Sequence, residues 1–448
     1  MQTCLPNMRT GRNPPADLRR FPLNPAGSFK SLADWLPWLE TLSPREIVLG
    51  LERVQAVLAR LQLARPPLVI SVAGTNGKGS SVAMLEALLR DDGRKTGCYT
   101  SPHVSVYNER IRIDGEAASD AQVLHALQQV EAARDDVPLT YFEFGTLAAL
   151  VAFDTAAVDT QILEVGMGGR LDAVNAVEPD ACLITNVSLD HCAWLGNDVE
   201  SIAVEKAGIM RHGKPVIFGS QIVPAAIRAH ASDIGARLVV AGTDFNYQSK
   251  SAADSAWTWQ GQNTELQGLL PPALAGNVQL QNAAAVLALI EALNLGHLLQ
   301  RETVDRALSS LRLAGRFQLV SRRQTWILDV AHNRDSAKAL AESLASMPGE
   351  PVTFTIVGML ADKDVESIVA PLEPLVGAWI AVTVEGSRAA NAAKLATKIA
   401  NQTHKPCLVC GDISQALQYA SEHTGEGDKI LITGSFYIVG PTLDWLRQ

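Results

Sequence analysis

The stretch VISVAGTNGKGSS, residues 69–81, places glycines, a lysine and hydroxyl side chains in nearly the spacing of a phosphate-binding loop. The common template is G-x-x-x-x-G-K-[ST], and Gly77 and Lys78 match its end. Val72 stands where the template has its first glycine, and the hydroxyl comes one place late, as Ser80. Backbone N–H groups of such a loop point at phosphate oxygens, and the lysine adds positive charge. We predict ATP contacts from Gly74, Thr75, Asn76, Gly77, Lys78, Gly79 and Ser80.

A strand before the loop and a helix after it are needed to hold it in position. PPLVISVAG is a continuous apolar run, typical of a buried parallel strand, and SSVAMLEALLRDDG is an amphipathic helix pattern with a glycine stop. Further strand patterns are KTGCYTS, TQILEVG, ACLITNVS, PVIFGS and ARLVVAG, with helical patterns between most of them. This alternation predicts a doubly wound α/β sheet, whose ligands bind beyond the carboxyl ends of its strands.

The pattern changes twice farther along the chain. Residues 244–272 alternate polar and apolar side chains without helix signals, which predicts short antiparallel strands. After LRLAGRF the α/β alternation resumes, with strands TWILDVA, VTFTIVG, AWIAVTV, PCLVCG and KILITGS. We predict a loose N-terminal extension over 1–30, a P-loop-containing, ATP-binding doubly wound domain over 31–313, and a smaller Rossmann-like α/β domain over 316–448.

Composition limits the classes of partner. The chain has 448 residues, enough for two or three domains, and a net charge of −9, which argues against a nucleic-acid partner. No apolar run approaches the ~18 residues of a membrane helix, and the N-terminus has no apolar signal-peptide core. The six cysteines are sparse, and Cys407 and Cys410 fall in KPCLVCGD, which we interpret as a buried strand without a metal or redox role. We expect a cytoplasmic monomer acting on small molecules.

GTNGKGS closely resembles the loop of the Mur ligase superfamily, in which a glycine after the lysine is normal. Within that superfamily the chain resembles the folylpolyglutamate synthases, and more closely the bacterial bifunctional form that is also a dihydrofolate synthase. The resemblance extends from LGLERV (49–54) to the C-terminus. It rests on GTNGKGS, YTSPH, LTYFEFGT, ILEVGMGGRLDA, SLDH, EKAGI, GRFQ, LDVAHN, GMLADKD and GSF.

The resemblance implies an ATP-dependent ligase that forms dihydrofolate from dihydropteroate and L-glutamate through an acyl phosphate. The same enzyme would add γ-linked glutamates to tetrahydrofolate. A folylpolyglutamate synthase without the first activity stays an alternative. A cell-wall Mur ligase would usually place a UDP-binding domain before the loop, where this chain has only 73 residues. A nucleotide-binding switch would not need the AHN segment of a second domain.

The implied cofactors are ATP and Mg²⁺, and the implied magnesium ligands are Ser80, Ser101, Glu164, His191 and Lys206. Ser101, Glu164 and His191 each follow a strand pattern, so all three should lie at the carboxyl edge of the sheet. The family lysine matching Lys206 is carbamylated, which converts a cation into an anionic oxygen ligand.

The resemblance also assigns residues to ATP and to catalysis. Asn282, Arg316 and Asp329 are expected at ATP, and the expected catalytic residues are Lys78, Lys206 and His332. The family often has proline after AHN, where this chain has Arg334. That departure leaves the AHN motif intact, but it changes the residue at the entry to the glutamate site.

Three further segments match those that hold dihydropteroate in the bifunctional enzymes. They comprise Ile47, Val48, Leu49 and Gly50, then Thr140, Tyr141, Phe142 and Glu143, and then Leu171, Asp172 and Ala173. Phe142 could stack on the pterin or simply belong to the core, and Asp172 could accept hydrogen bonds from the amino-pyrimidine edge.

Overall fold

The computed structural model of the protein describes residues 29–43, 48–249, 256–386 and 389–447. Its helices are α1 (Leu32–Thr41), α2 (Glu52–Leu61), α3 (Lys78–Asp91), α4 (Asp120–Arg134), α5 (Tyr141–Thr155), α6 (Cys192–Leu195), α7 (Val199–Ala207), α8 (Ala225–Ile234), α9 (Asn277–Ala292), α10 (Arg301–Ser309), α11 (Arg334–Ala345), α12 (Val365–Leu372), α13 (Ala392–Ala400), α14 (Ile413–Glu422) and α15 (Phe436–Arg447). The predicted extension over 1–30, apart from its last two residues, and the predicted pterin contact Ile47 lie outside the described residues.

The strands form three sheets. They are β1 (Leu68–Ala73), β2 (Thr96–Tyr99), β3 (Ile111–Ile113), β4 (Glu116–Ala117), β5 (Thr160–Glu164), β6 (Ala181–Ile184), β7 (Pro215–Phe218), β8 (Arg237–Val240), β9 (Asn246–Ser249), β10 (Trp257–Gln260), β11 (Glu265–Leu269), β12 (Gln318–Ser321), β13 (Thr325–Leu328), β14 (Val352–Val357), β15 (Val376–Val382), β16 (Cys407–Cys410) and β17 (Lys429–Thr433). Short 3₁₀ turns, including Ala173–Ala176, join some of these elements.

The first sheet has eight strands in the order β4-β3-β2-β5-β1-β6-β7-β8. β1 lies between β5 and β6, parallel to both, and all six of its residues are buried. Val69 packs into the core beneath α5, whereas Ile70 packs into the opposite core beneath α3 and α9. Helices cover both faces of this strand, which is why its sequence is continuously apolar. The predicted doubly wound α/β sheet is confirmed.

The antiparallel hairpin β3–β4 at one edge was not predicted. Its strands have only three and two residues, too few for an alternating pattern to show. The short antiparallel strands predicted over 244–272 are confirmed as the sheet β11-β10-β9. The indole of Trp259 donates to the carbonyl of Ala284 over 3.1 Å, which fixes this sheet against α9.

The second α/β unit contains a six-stranded sheet in the order β12-β13-β17-β14-β15-β16. Its strands are parallel except for the unforeseen edge strand β12, which pairs antiparallel with β13. The predicted boundary falls between α10, which ends at Ser309, and β12, which begins at Gln318. The domain limits themselves stay a prediction.

The interpretation of KPCLVCGD as a buried strand was wrong in one respect. β16 is the last strand of its sheet, so its cysteines are only half-buried. Cys407 packs against the core on one face of the sheet and Cys410 against the core on the other, because residues three apart on a strand point in opposite directions. Among the described helices, none has both the length and the apolar character needed to cross a bilayer.

Candidate active site

The phosphate-loop backbone is held from the neighbouring strand β6. The side-chain oxygen of Asn186 accepts hydrogen bonds from the amides of Thr75 (3.2 Å) and Asn76 (2.9 Å). Thr185 donates to the carbonyl of Asn76 over 2.6 Å. Gly74 has φ +149°, and a Cβ there would lie 1.8 Å from Thr185 Oγ1. Both the positive φ and the lack of space for a Cβ therefore require glycine at residue 74.

Gly77 brings α9 to the loop. Its φ is +83°, and a Cβ on it would lie 2.5 Å from Oδ1 of Asn282, which is buried. Asn282 donates to the side chain of Gln279 over 3.1 Å, which fixes its amide orientation. The predicted ATP contact Asn282 is thus placed beside the loop despite the long sequence separation.

Two side chains of the loop have few protein partners. Within the described ranges, Lys78 Nζ donates only to backbone carbonyls, those of Gly74 at 3.2 Å and Thr75 at 3.4 Å. Ser80 is buried at the start of α3, and among the described residues its hydroxyl has no hydrogen-bond partner. A buried hydroxyl without a partner is costly in free energy, so this one is suited to a ligand or ion.

Glu164 and Ser101 lie beside the loop at the carboxyl edge of the sheet. Glu164 is the last residue of β5 and is buried, and the amide of Ser101 donates to its Oε2 over 3.3 Å. Burial raises the pKa of Glu164, while the charges of Lys78 and Arg316 act to lower it. A Cβ on Gly79 would lie 3.6 Å from Glu164 Oε2, which places the carboxylate against the loop backbone.

His191 precedes α6 and is half-buried. Burial lowers its pKa to about 4, and the positive charges of Lys363 and Lys78 act in the same direction. The imidazole is therefore neutral near pH 7, which is the form that can bind a metal ion.

Lys206 is buried in the last turn of α7. Burial and the nearby charge of Lys78 lower its pKa to about 7, while Asp190 and Asp172 partly oppose that shift. A lysine with this pKa is partly neutral at physiological pH, unlike an exposed helix lysine. Across the described part of the chain, no three His, Cys, Asp or Glu side chains converge as a metal site. The predicted magnesium ligands include only two side chains of these types, Glu164 and His191. The other three are the hydroxyls of Ser80 and Ser101 and a modified Lys206.

Residues of the two α/β units meet directly above the loop. The amides of Asn76 and Asn333 exchange two hydrogen bonds, of 2.9 and 3.2 Å. Asn333 is also the N-cap of α11, where its Oδ1 accepts from the amide of Ser336 over 3.0 Å. The helix that follows the AHN segment is thereby aligned on the loop.

Asp190 makes the second link between the units. Its carboxylate lies 2.6 Å from Lys363 Nζ and 3.3 Å from His332 Nε2, and it accepts a 3.0 Å hydrogen bond from Asn333. Burial would raise the pKa of Asp190, but the hydrogen bond with His332 and the charge of Lys363 hold it well below its usual range. Nδ1 of His332 lies 2.9 Å from the carbonyl oxygen of Val330, so both ring nitrogens are fixed in place.

Four residues of this centre were not predicted from the sequence. They are Asn186, Asp190, Asn333 and Lys363. Each stands inside a segment that was singled out, namely ACLITNVS, SLDH, LDVAHN and GMLADKD. Their chemical types were visible in those segments, but their contacts are between distant parts of the chain.

Arg316 and Asp329 lie where the second unit begins. The carboxylate of Asp329 accepts hydrogen bonds from the amides of Phe317 (2.9 Å) and Ala331 (2.8 Å). Burial raises its pKa, and the charge of Arg316 opposes that rise. The guanidinium carbon of Arg316 lies 5.2 Å from the ring centre of Phe436, and the residue as a whole is half-buried. The ATP contacts of both residues stay a prediction.

The described residues of the three predicted pterin segments are brought together. The amide of Gly50 donates to the carbonyl of Leu171 over 3.4 Å. Arg53 joins two of the segments, since its Nη2 lies 2.7 Å from both the carbonyl oxygen of Val48 and Oε1 of Glu143. Glu143 also accepts from the amide of Thr140 over 2.7 Å, which caps α5.

Asp172 is buried and holds its own loop. It accepts hydrogen bonds from the amides of Met167 (2.9 Å) and Val174 (3.0 Å). Burial raises its pKa to about 6, despite these hydrogen bonds. The ring of Phe142 packs on Gly166, where a Cβ would lie 2.5 Å from the ring edge, and Phe142 is half-buried.

Comparison with known families gives two matches along the chain. Residues 72–290 match the Mur ligase middle domain, and residues 315–436 match the Mur ligase glutamate ligase domain. A curated relative, the dihydrofolate synthase/folylpolyglutamate synthase of Escherichia coli strain K12, is 39% identical over 414 residues. That alignment covers 92% of this chain and 95% of the relative.

Solved structures agree with these matches. The structure of E. coli FolC in complex with DHPP and ADP superposes with a TM-score of 0.87 at 38% identity, covering 93% of this chain and 98% of that one. The bifunctional folylpolyglutamate synthase/dihydrofolate synthase of Yersinia pestis, complexed with AMPPNP and Mn ion, gives a TM-score of 0.85 at 40% identity. It covers 94% of this chain and 98% of its own. The chain therefore belongs to the Mur ligase family, within which it is a bifunctional dihydrofolate synthase/folylpolyglutamate synthase, an ATP-dependent ligase.

Proposed function

We propose that this chain joins L-glutamate to dihydropteroate at the expense of ATP, and then adds γ-linked glutamates to tetrahydrofolate at the same centre. The observation that carries the proposal is the reciprocal amide pair between Asn76 and Asn333. It brings the phosphate loop of one unit to the AHN segment of the other. A carboxylate beside the γ-phosphate would then face the unit that matches the glutamate ligase domain.

The reaction divides into two transfers. The substrate carboxylate attacks the γ-phosphorus of ATP, which releases ADP and leaves an acyl phosphate. The glutamate amine then attacks the acyl carbon, so that phosphate leaves and the nitrogen loses a proton. Lys78 is suited to hold the phosphates, since in the described part of the chain its ammonium has only carbonyl partners. We assign His332 to positioning Asp190 near the incoming amine, because its two ring nitrogens already contact the Val330 carbonyl and the Asp190 carboxylate.

A divalent cation, which we propose to be Mg²⁺, would supply positive charge for the phosphates and for the transferring group. The residues around Glu164 fit such an ion. They offer a buried hydroxyl at Ser80 with no partner in the described structure, a buried carboxylate at Glu164 and a neutral imidazole at His191. Ser101 and a carbamate on Lys206 complete the set of ligands that we propose.

The substrates follow from the same comparisons. One relative binds DHPP and ADP, and another binds AMPPNP and a manganese ion. The pterin would lie among the Val48–Gly50, Thr140–Glu143 and Leu171–Ala173 segments, which the structure brings together. We infer that a monomer is sufficient, because both halves of the site come from one chain.

A phosphate-release assay tests the proposal. Purified protein with ATP and Mg²⁺ is given dihydropteroate or tetrahydrofolate, each with and without L-glutamate. Phosphate release that requires glutamate with both acceptors is the expected result. Release with tetrahydrofolate alone would leave a folylpolyglutamate synthase, and release with neither acceptor would overturn the proposal.

A further inference from the structure

Helix α15 of the second unit touches the backbone of the first unit at Gly440. A Cβ on Gly440 would lie 2.0 Å from the carbonyl oxygen of Val104 and 3.0 Å from its carbonyl carbon. Real Cβ atoms essentially never approach a neighbouring atom below 3.0 Å. Any side chain at this position must therefore push the two units apart by roughly 1 Å or more, or else displace the Val104 backbone.

The Val104 backbone is poorly able to move. Glu109 accepts hydrogen bonds from three successive amides, those of Val104 (2.7 Å), Ser105 (3.0 Å) and Val106 (3.0 Å). Its own backbone carbonyl lies 3.4 Å from the hydroxyl of Thr100, a weak contact at the other end of the loop. Displacing the loop would break charge-assisted hydrogen bonds, so we expect a Cβ at residue 440 to move α15 instead.

This contact lies close to the reacting centre. Val104 is three residues from Ser101, whose amide donates to Glu164. The side chain of Val104 also packs against the core of the second unit that contains Val439 and Leu443. The loop that carries a proposed metal ligand is thus held by the second unit on one side and by the sheet edge on the other.

We infer that Gly440 is a positioning residue, whose missing side chain seats α15 directly on the Val104–Val106 backbone and sets the spacing between the second unit and the Ser101 loop. Its effect on turnover rests on the proposed function. The contact differs from the Asn76–Asn333 pair, because it is steric and involves no ligand-binding group.

The neighbouring Pro441 must be separated from this effect. A residue before proline is restricted in the helical region, so Gly440→Ala alone could strain α15 itself. Pro441 is exposed, and replacing it with alanine removes that restriction. In the Pro441→Ala background a second alanine at 440 should favour the helix by about 1 kcal/mol, the usual difference between alanine and glycine. Helix propensity therefore predicts that the double variant is more stable than Pro441→Ala, whereas the clash with the Val104 backbone predicts that it is less stable.

The experiment compares Gly440→Ala/Pro441→Ala with Pro441→Ala. Gly296→Ala serves as a matched glycine control, because a Cβ there meets nothing within 4 Å and Gly296 does not have positive φ. The readouts are thermal unfolding, steady-state kinetics, and hydrogen exchange of 100–110 and 436–447. We expect the double variant to unfold more easily than its parent, which is the opposite of what helix propensity alone predicts. We also expect it to exchange faster in both segments and to lose kcat on the order of 10²-fold, the usual effect of a 1 Å misplacement.

The KM for dihydropteroate should stay within about twofold, because the pterin segments belong to the first unit. Unchanged exchange together with kcat equal to that of Pro441→Ala would overturn the inference. If the double variant does not fold, Glu109→Gln tests the contact from the other unit, because it weakens the hydrogen bonds that fix the Val104–Val106 backbone under α15. It should speed exchange in both 100–110 and 436–447 and lower kcat, and wild-type exchange in 436–447 together with wild-type kcat would overturn the inference as well. The exchange comparison decides the contact even if the wild type fails to use dihydropteroate, a result that would overturn the proposed function alone.

Discussion

The phosphate loop and the pterin segments use their polar side chains in opposite ways. Among the residues that the structure describes, Lys78 of the loop donates only to carbonyls and Ser80 has no partner, while Asn186, which follows β6, holds the loop backbone. In the pterin segments, Glu143 and Asp172 each accept backbone amides that fix their own surroundings. The loop keeps its polar groups available, whereas the predicted pterin segments use theirs to fix their own backbone.

The family resemblance predicts ligand contacts for residues of both regions. Their hydrogen-bond partners in the structure separate these residues into two groups. A side chain without a protein partner can act on a ligand at little expense to the fold. A carboxylate that already accepts two or three hydrogen bonds is needed for stability, whatever else it contacts. We therefore expect substitutions in the loop to change turnover more than stability. In the pterin segments the balance should shift toward stability.

Lys78→Ala should give the largest loss of turnover. Removing one well-placed electrostatic group from such a site typically lowers kcat by ~10²–10³-fold, and the unfolding temperature should stay near that of the wild type. Steady-state phosphate release and thermal unfolding measure the two effects. Lys398→Ala, at an exposed position on α13, is the control. Near-normal turnover of folded Lys78→Ala enzyme would contradict the assignment of this loop to phosphate binding. The contrast between the phosphate loop and the pterin segments would then fail as well.

Lys206 lies between the two regions, near the charges of both Lys78 and Asp172. Burial lowers its pKa to about 7, so a larger neutral fraction is available to react with CO₂ than for an ordinary lysine. We expect electron density for a planar group beyond Nζ. We also expect activity to fall after CO₂ depletion and to return with bicarbonate.

Lys206→Gln should lower activity roughly 10–100-fold, in the range for groups that support a metal site. Bicarbonate should restore the CO₂-depleted wild type but not this variant. A bare ammonium in an active, metal-bound crystal would contradict the carbamate. Lys206 would then serve only as a buried charge.

The sequence predicted the layers of the fold and most of its strands, because buried parallel strands are continuously apolar and helices have their own period. β1 and β5 were identified in this way. The hairpin β3–β4 and the edge strand β12 were not, because short or half-exposed strands carry little pattern. The order of strands across each sheet also depends on contacts that no local pattern contains.

The candidate site was predictable in part. Residues at or just after strand ends, such as Glu164 and Ser101, were located by the rule that parallel strands share a carboxyl edge. The contacts of Asp190 with Lys363 and His332 were not, because they join segments more than 140 residues apart. The contact of Gly440 was not predicted, because a glycine before a proline in a helical pattern indicates only a local irregularity of the helix.

Asp172→Ala tests whether the pterin region contains any group that binds substrate directly. Dihydropteroate is shorter than a folate by one glutamate, so its pterin should lie deeper, toward Phe142 and Asp172. We expect kcat/KM for dihydropteroate to fall about tenfold more than that for tetrahydrofolate, the effect of one hydrogen bond to a charged group. Asp412→Ala, which removes the N-cap of α14 in the second unit, is the control for general loss of a cap.

The pH dependence of the KM for dihydropteroate gives a second test of direct binding by Asp172. The pKa of Asp172 is raised to about 6, so its carboxylate becomes protonated as the pH falls through that value. The KM for dihydropteroate should therefore rise below about pH 6, and the rise should be absent in Asp172→Ala. Equal losses with both acceptors would show that Asp172 shapes the loop without reading the pterin.

Glu143→Gln should have the smallest effect on turnover. It tests whether a carboxylate of the pterin segments serves mainly to stabilise the fold. The substitution keeps the size of the side chain but removes the charge that faces Arg53, whose side chain is 23% exposed. It also weakens the cap that Glu143 forms with the Thr140 amide. We expect the free energy of unfolding to fall by ~1–2 kcal/mol, while turnover per folded molecule changes less than about threefold.

Glu200→Gln is the matched control, because Glu200 likewise caps a helix, accepting from the amides of Ala225 and Ala226, but at an exposed position away from the pterin segments. Chemical denaturation gives the stability of both variants, and phosphate release with each acceptor gives their turnover. If Glu143→Gln kept its stability but lost most dihydropteroate turnover, Glu143 would bind the pterin itself. The pterin region would then resemble the phosphate loop, and the division between groups that build a site and groups that act in it would fail at this residue.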